Sequence, residues 1–136
     1  MPKLNPDKYS ETNTEHAHQV ALFMWAADNA NREMWPELQW LFAVPNGGWR
    51  NKVVATRLKA EGVKAGVPDI WLPIKRGNWS GLIIELKAPP FSDKVRRPRA
   101  SPKQEPWIEY LRTQGFGAMV CVGWHEARQA IVSYLD

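Results

Sequence analysis

Asp69, preceded by Pro68, and the pair Glu85 and Lys87, which closes an apolar run beginning Leu82-Ile83-Ile84, are the residues whose types and spacing could do chemistry. Side chains alternate along a strand, so Ile83, Glu85 and Lys87 share one face. A carboxylate and an ammonium at the end of so apolar a strand are poorly solvated and need partners, either each other or a metal. Between the acids lies Gly77-Asn78, a hairpin turn signal. A loop of Arg76, Gly77 and Asn78 pairs Lys75 with Trp79 and sets Asp69 across from Glu85, with Cβ atoms roughly 5 Å apart. A loop shorter by one residue turns the two acids to opposite faces. The chemistry therefore requires an odd-length loop or a bulge. Carboxylates that close repel unless a proton or a cation lies between them. A hard divalent ion such as Mg²⁺ suits oxygen ligands and keeps waters that a phosphate can replace. Lys87 could orient or deprotonate an attacking water, or neutralise a pentavalent phosphate. The bland alternative is a surface salt bridge between Glu85 and Lys87, with Asp69 a plain turn residue. It leaves unexplained why Pro-Asp opens one strand and Glu-x-Lys closes the next.

The elements that must position these groups follow from the pattern. Residues 1–11 are polar, hold two prolines and read as a loose tail. A helix follows, with Val20, Phe23, Met24 and Ala27 as its buried stripe and Thr12 with Glu15 as a capping box. Residues 38–44 read as a strand stopped by Pro45-Asn46-Gly47-Gly48. A short basic helix spans about 51–61 and ends at Gly62. Strands over 69–74 and 81–86 flank the hairpin, and the second reads as buried on both faces. A basic, proline-interrupted loop covers 89–103, and a helix runs from Ser101-Pro102 to Gly115. A strand over 117–122 and a helix over 125–134 complete the chain. The order αβαββαβα predicts an α/β domain on a mixed sheet of about four strands flanked by helices. The hairpin strands are antiparallel, and the crossover helix makes the last two strands parallel.

Composition sets the outer limits. A chain of 136 residues, 44% hydrophobic and 24% charged, suits one globular domain, here residues 12–136. A formal charge of +4 is a mild bias toward anionic partners. Cys121 is the only cysteine, so neither an intrachain disulfide nor a thiolate zinc site can form. It sits in a predicted strand and reads as core. With no apolar leader and no membrane-length apolar run, the chain reads as cytoplasmic. His16 and His18 lie two apart on a helix, do not face one site, and do not form the H-E-x-x-H zinc pattern.

Pro68-Asp69 followed by Glu85-Leu86-Lys87 resembles the PD-(D/E)-x-K nuclease superfamily. The wider series resembles its virus-type replication-repair branch, the VRR-NUC domains. It comprises Glu15 with Gln19, Pro45-Asn46-Gly47-Gly48 with Arg50, Gly62 through Gly66-Val67-Pro68-Asp69, Glu85-Leu86-Lys87, and Ser101 with Gln104 and Trp107. Either short motif alone says almost nothing; the ordered series runs from about residue 12 to 134. The resemblance implies a restriction-endonuclease-like core. It implies Mg²⁺ (or Mn²⁺) held by Asp69, Glu85, the backbone carbonyl of Leu86 and Glu15, with Lys87 catalytic and Gln104 supporting the site. It also places Asn46 and Arg50 among the DNA contacts.

Glu15 and Gln104 each have a second reading. Each stands three residues after a Thr or Ser, so each could be a capping-box residue and nothing more. Gln104 also begins the stripe Gln104, Trp107, Ile108, Leu111, and Glu15 lies one turn from Gln19. Basic residues crowd two regions that flank the acids: Arg50, Lys52, Arg57, Lys59 and Lys64, and then Lys94, Arg96, Arg97, Arg99 and Lys103. Charge runs are usually solvated faces, but here salt-sensitive contacts to DNA phosphates are a reasonable reading.

The expected activity is metal-dependent phosphodiester hydrolysis in DNA. The resemblance adds a preference for branched DNA such as four-way junctions, and symmetric cutting of a junction implies a homodimer. A non-cleaving nucleic-acid-binding module of the same fold, or a sequence-specific restriction-type endonuclease, would share these features.

Overall fold

The computed structural model describes residues 4–45 and 51–136. Helices α1 (Pro6–Tyr9), α2 (Glu15–Ala27) and α3 (Asn29–Met34) precede strand β1 (Phe42–Ala43). Helix α4 (Lys52–Ala60), strands β2 (Ile70–Leu72) and β3 (Gly81–Lys87), helix α5 (Glu105–Thr113), strand β4 (Phe116–Val122) and helix α6 (Trp124–Leu135) follow. The sheet order is β1-β2-β3-β4, with β1 and β3 antiparallel to β2 and β4 parallel to β3. This is the mixed, four-stranded α/β sheet flanked by helices that the sequence predicts.

β3 is the spine of the sheet and is buried from Gly81 to Leu86. On one face Ile70, Leu72, Leu82, Ile84, Leu86 and Cys121 pack with α2 and α6 through Leu22, Trp25, Ala127 and Ile131. On the other, Ile83 and Ala118 pack with Ile108 and Leu111 of α5. Each large side chain so enclosed contributes roughly 1.5–3 kcal/mol. Glu85 and Lys87 share the face of Ile83, so the helix over them is α5.

The hairpin departs from the expected loop and still delivers the expected register. Arg76 and Trp79 close a turn of only Gly77 and Asn78. In the ladder, however, Ile70 pairs with Ile84 and Leu72 with Leu82, the register that sets Asp69 opposite Glu85. The odd residue is absorbed between Leu72 and Arg76, where the Ile74 N–H bonds back to the Leu72 carbonyl at 2.9 Å. Pro73 has no N–H for the ladder, which also ends β2 at Leu72 rather than at 74.

Four further expectations are corrected. The strand expected over 38–44 is reduced to Phe42–Ala43, because Pro36 opens a 3₁₀ turn over Pro36–Trp40 that buries Leu38. The tail expected over 1–11 contains α1, started by the Asn5 side chain accepting from Asp7 N–H at 3.0 Å and followed by a 3₁₀ turn, Ser10–Thr12. Asn5 before Pro6 is the N-cap and N1 signal that the proline count obscured. The cap of α2 is Thr14, not Thr12: its Oγ1 accepts from Ala17 N–H at 3.0 Å, which makes Glu15 the first helical residue rather than a capping-box partner. The buried stripe of α2 is Ala17, His18, Ala21, Leu22, Trp25 and Ala26. Val20, Phe23, Met24 and Ala27 instead line an outward groove with Leu4 and Ala43. Spacing gives the helical period, and the alanines, which let α2 lie close to the sheet, give the phase.

Gly66 joins two loops that carry the site. Its φ is +87°, and a Cβ added there would lie 2.1 Å from the carbonyl oxygen of Lys103, next to Gln104. Gly62, which follows α4, has φ +97° but open space around it. Gly66→Ala is therefore expected to cost about 3 kcal/mol through strain and overpacking. Gly62→Ala, by contrast, should cost only about 1–2 kcal/mol from the backbone alone. Urea denaturation of the two variants side by side measures the difference, and equal losses would contradict the close approach.

Candidate active site

Asp69 stands just before β2. Its carbonyl accepts from Val44 N–H at 2.7 Å, and the carbonyl of buried Pro68 accepts from the Trp71 indole at 2.9 Å. The backbone leading into this acid is thus fixed on both sides. Its Oδ2 accepts the Leu86 N–H at 3.1 Å across the hairpin. Continuing the β2–β3 register sets Leu86 opposite Pro68, which has no N–H to give. N–H and C=O of one strand residue point to the same side, so the Leu86 carbonyl, like its N–H, faces the β2 side, where Pro68 has no N–H to offer.

Glu85 is only 1% exposed. Its Oε1 accepts from Gln104 Nε2 at 2.7 Å and lies 3.8 Å from Lys87 Nζ. Its Oε2 is buried with no hydrogen-bond partner among the described residues. Glu15 reaches in from the start of α2, and one carboxylate oxygen from each of Glu15, Asp69 and Glu85 lies within 4.8 Å of the others. Burial, and then the charge of Asp69, push the Glu85 carboxyl up to about 8. Burial also raises Asp69, against the hydrogen bond it shares with the Glu85 carboxyl, the hydrogen bond from Leu86 and the charge of Lys87. Crowded, desolvated carboxyls must share a proton, as Glu85 and Asp69 do here, or a cation that takes its place. An all-oxygen set with no sulfur or imidazole fits a hard divalent ion.

Gln104 fills both roles that sequence set against each other. Its N–H donates to Ser101 Oγ at 3.3 Å, and its Oε1 accepts the Ser101 N–H at 2.8 Å, the reciprocal bonds of a capping box; they close the turn leading into α5, which begins at Glu105 and not at the expected Ser101-Pro102. The same Oε1 accepts from Lys87 Nζ at 2.9 Å, while Nε2 binds Glu85. One amide thus fixes the carboxylate and the ammonium relative to each other.

The basic residues divide. Lys52 and Arg57 are exposed on α4, Lys64 is exposed in the loop leading to Pro68, and Lys94 and Lys103 are exposed at either end of the proline-rich loop. Arg96, Arg97 and Arg99 line a cleft of about 600 Å³ over Ile108 and Val120, together with Arg112, which sequence reasoning missed because it lies inside a helix. Arg97 is tied to Glu126 of α6 by its two terminal guanidinium nitrogens, and Arg112 is bonded to the Ala118 carbonyl at 2.9 Å. Arg96 and Arg99 face the cleft exposed. Asn46 and Arg50 lie outside the described residues.

The model of the VRR-NUC domain family matches residues 13–124. A solved structure described as a "VRR_NUC domain protein" superimposes with a TM-score of 0.69 at 30% identity, over 90% of this chain and 88% of that one. No match is found among curated proteins. No helix among the described residues is long and apolar enough to cross a membrane.

A carboxyl whose folded pKa is about 8 against an ordinary 4.5 keeps its proton in the folded chain after the unfolded chain has lost it. Stability of the metal-free protein is therefore fully kept below that window and falls as pH rises through it. The melting temperature of chelator-treated protein is expected to drop between about pH 5 and about pH 8, and Glu85→Gln should flatten that slope. Added Mn²⁺ should raise the melting temperature more at the alkaline end, where displacing the proton is easier. A profile in the unaltered protein that rises with pH would contradict this arrangement of charges.

Proposed function

Because the chain belongs to the VRR-NUC domain family and has its nuclease fold, we propose that it is a DNA endonuclease that hydrolyses phosphodiester bonds at a Mg²⁺ site. The observation that carries this reading is the convergence of Glu15, Asp69 and Glu85 within 4.8 Å, beside a lysine hydrogen-bonded to Gln104. Asp69, Glu85, Glu15 and the Leu86 carbonyl would hold the ion, and Mn²⁺ could replace it. When bound, such an ion supplies a water of lowered pKa and stabilises charge on a phosphoryl oxygen.

The remaining chemistry belongs to the chain. Lys87, only 16% exposed and hydrogen-bonded to Gln104 Oε1, has two further ammonium protons to present to a phosphate oxygen as charge grows there. Gln104 keeps that ammonium from collapsing onto Glu85, which it holds through its other end. Asp69 is oriented for ligation by the Leu86 N–H. Arg96 and Arg99, with Lys94, Lys103, Lys52, Arg57 and Lys64, would contact phosphates flanking the cut. The branched substrate, a four-way junction above all, is carried by the family resemblance, and paired cuts across a junction call for a homodimer with two sites.

The deciding experiment incubates the protein with linear, nicked, flap and four-way DNA, with and without Mg²⁺. Metal-dependent cutting, strongest on the four-way substrate, is the expected result. Lys87→Ala should reduce it by about 100-fold or more with DNA binding retained. Binding without cutting under any metal would instead make the protein a non-cleaving module, and cutting of plain duplex at one sequence would make it a restriction-type enzyme. The cleft arginines have a separate signature. Replacing Arg96 and Arg99 by alanine should weaken DNA binding about equally for all sequences and reduce the salt dependence by about two charges. An unchanged salt slope would remove these two residues from the interface.

A further inference from the structure

Glu15 is the outlying member of the acidic cluster. Asp69 and Glu85 are set by the sheet, whereas Glu15 is an exposed residue at the very start of α2. Its reach toward the other acids depends on where the first turn of that helix lies, and side chains outside the cluster anchor that turn. Asn13, two residues earlier, has left-handed backbone with φ 54°. Its Nδ2 donates to the carbonyl of Pro89 at 2.9 Å, two residues beyond Lys87. Its Oδ1 lies 2.8 Å from Nε2 of His18 on α2.

His18 is 7% exposed and faces two partners at once. Its Nδ1 accepts the backbone N–H of Trp124, the first residue of α6, at 3.1 Å. The ring proton is therefore on Nε2 and is donated to Asn13. Burial, and then nearby His125, lower its pKa, in keeping with the neutral ring this pattern uses. The N–H of Gly123 donates in turn to the Lys87 carbonyl at 2.8 Å. A leucine could fill the space of His18, but it would leave a buried N–H at the start of α6 unpaired and Asn13 without its donor. The hydrogen bonds thus run from the exit of β3, where Lys87 stands, through the start of α6 to the start of α2, where Glu15 stands.

We infer that Asn13 and His18 are positioning residues that fix the first turn of α2 against the exit of β3, so that Glu15 is held at the cation site formed by Asp69 and Glu85. The inference rests on the metal-site reading given under Proposed function. Neither residue touches the reacting atoms; both act through Glu15. Groups that orient ligands in this way typically govern metal affinity by 10–100-fold.

The test is a double-mutant cycle read as Mn²⁺ affinity, by titration of the free-ion paramagnetic resonance signal, with the metal-free melting temperature measured alongside. Asn13→Gly leaves the left-handed backbone accessible and removes both side-chain hydrogen bonds. Glu15→Gln and Asn13→Gly are each expected to weaken Mn²⁺ binding about tenfold. The double variant should bind no more weakly than Glu15→Gln alone, because Asn13 has nothing left to position. Asn13→Asp keeps the acceptor for His18 and loses the donor to Pro89; a smaller loss is expected, and it serves if Asn13→Gly does not fold. Unchanged affinity in the Asn13 variants, an additive loss in the double variant, or undiminished binding in Glu15→Gln each overturns the inference. If the unaltered chain binds no Mn²⁺, the metal-site reading falls and takes this one with it. Normal binding there with an unaffected Asn13→Gly sinks the positioning role alone.

Discussion

Two acids in a place where water is scarce are a liability unless something compensates them, and here the β2–β3 register creates that situation. Pairing Leu72 with Leu82 brings Asp69 across from Glu85 and aligns the Asp69 carboxylate with the Leu86 N–H. The same sheet buries Glu85 almost completely. A slip of one residue would turn Asp69 to the opposite face and leave the buried glutamate without the acid across from it. Everything else in the site answers that juxtaposition: a lysine two residues on, an amide from α5, a third acid from α2. The register is kept by an irregularity, the extra residue beside Pro73, rather than by the turn itself. Proline thus acts twice in this hairpin, since Pro68 also offers no ladder donor to Leu86 at the end where the acids gather.

Gln104 shows how such a site acquires rigidity at little cost. A glutamine three residues after a serine ordinarily serves the helix, and here it does so reciprocally with Ser101. Because its backbone is already ordered by the cap, the side chain can grip Glu85 and Lys87 with little further loss of freedom. Gly66 matters for the same reason. It lets the loop leading to Asp69 rest directly on the backbone at Lys103, so the acid and the amide share one frame. The start of α2 is tied into that frame from the opposite side through His18 and Asn13.

The geometry also bears on substrate. The acidic cluster and the arginine-lined cleft adjoin α5, with Gln104 at its start and Ile108 and Arg112 further along it. Arg97 is spent on Glu126, which pins the proline-rich loop to α6 and leaves Arg96 and Arg99 displayed on an ordered support. Phosphates contacted by an ordered support are bound with a smaller entropic penalty than those gripped by loose side chains.

From the sequence by itself came the mixed sheet, the antiparallel hairpin, the parallel β3–β4 pair, the core role of Cys121 and the trio Asp69, Glu85 and Lys87. All of these rest on local signals: a period of two, turn residues, and motif order along the chain. It also stated the condition on the hairpin, an odd loop or a bulge, without being able to choose, since register is decided by which side chains bury together. Only the tertiary structure set the phase of α2, because the stripes Ala17–Ala21 and Val20–Phe23 are equally helical and the sheet selects the one with small residues. Only it removed the capping role from Glu15, by starting the helix at Thr14, and gave Gln104 two roles at once. The bonds of His18 and Asn13 to Trp124 and Pro89 span 106 and 76 residues of chain. No local pattern encodes contacts of that kind; they exist because three elements meet at one end of the sheet.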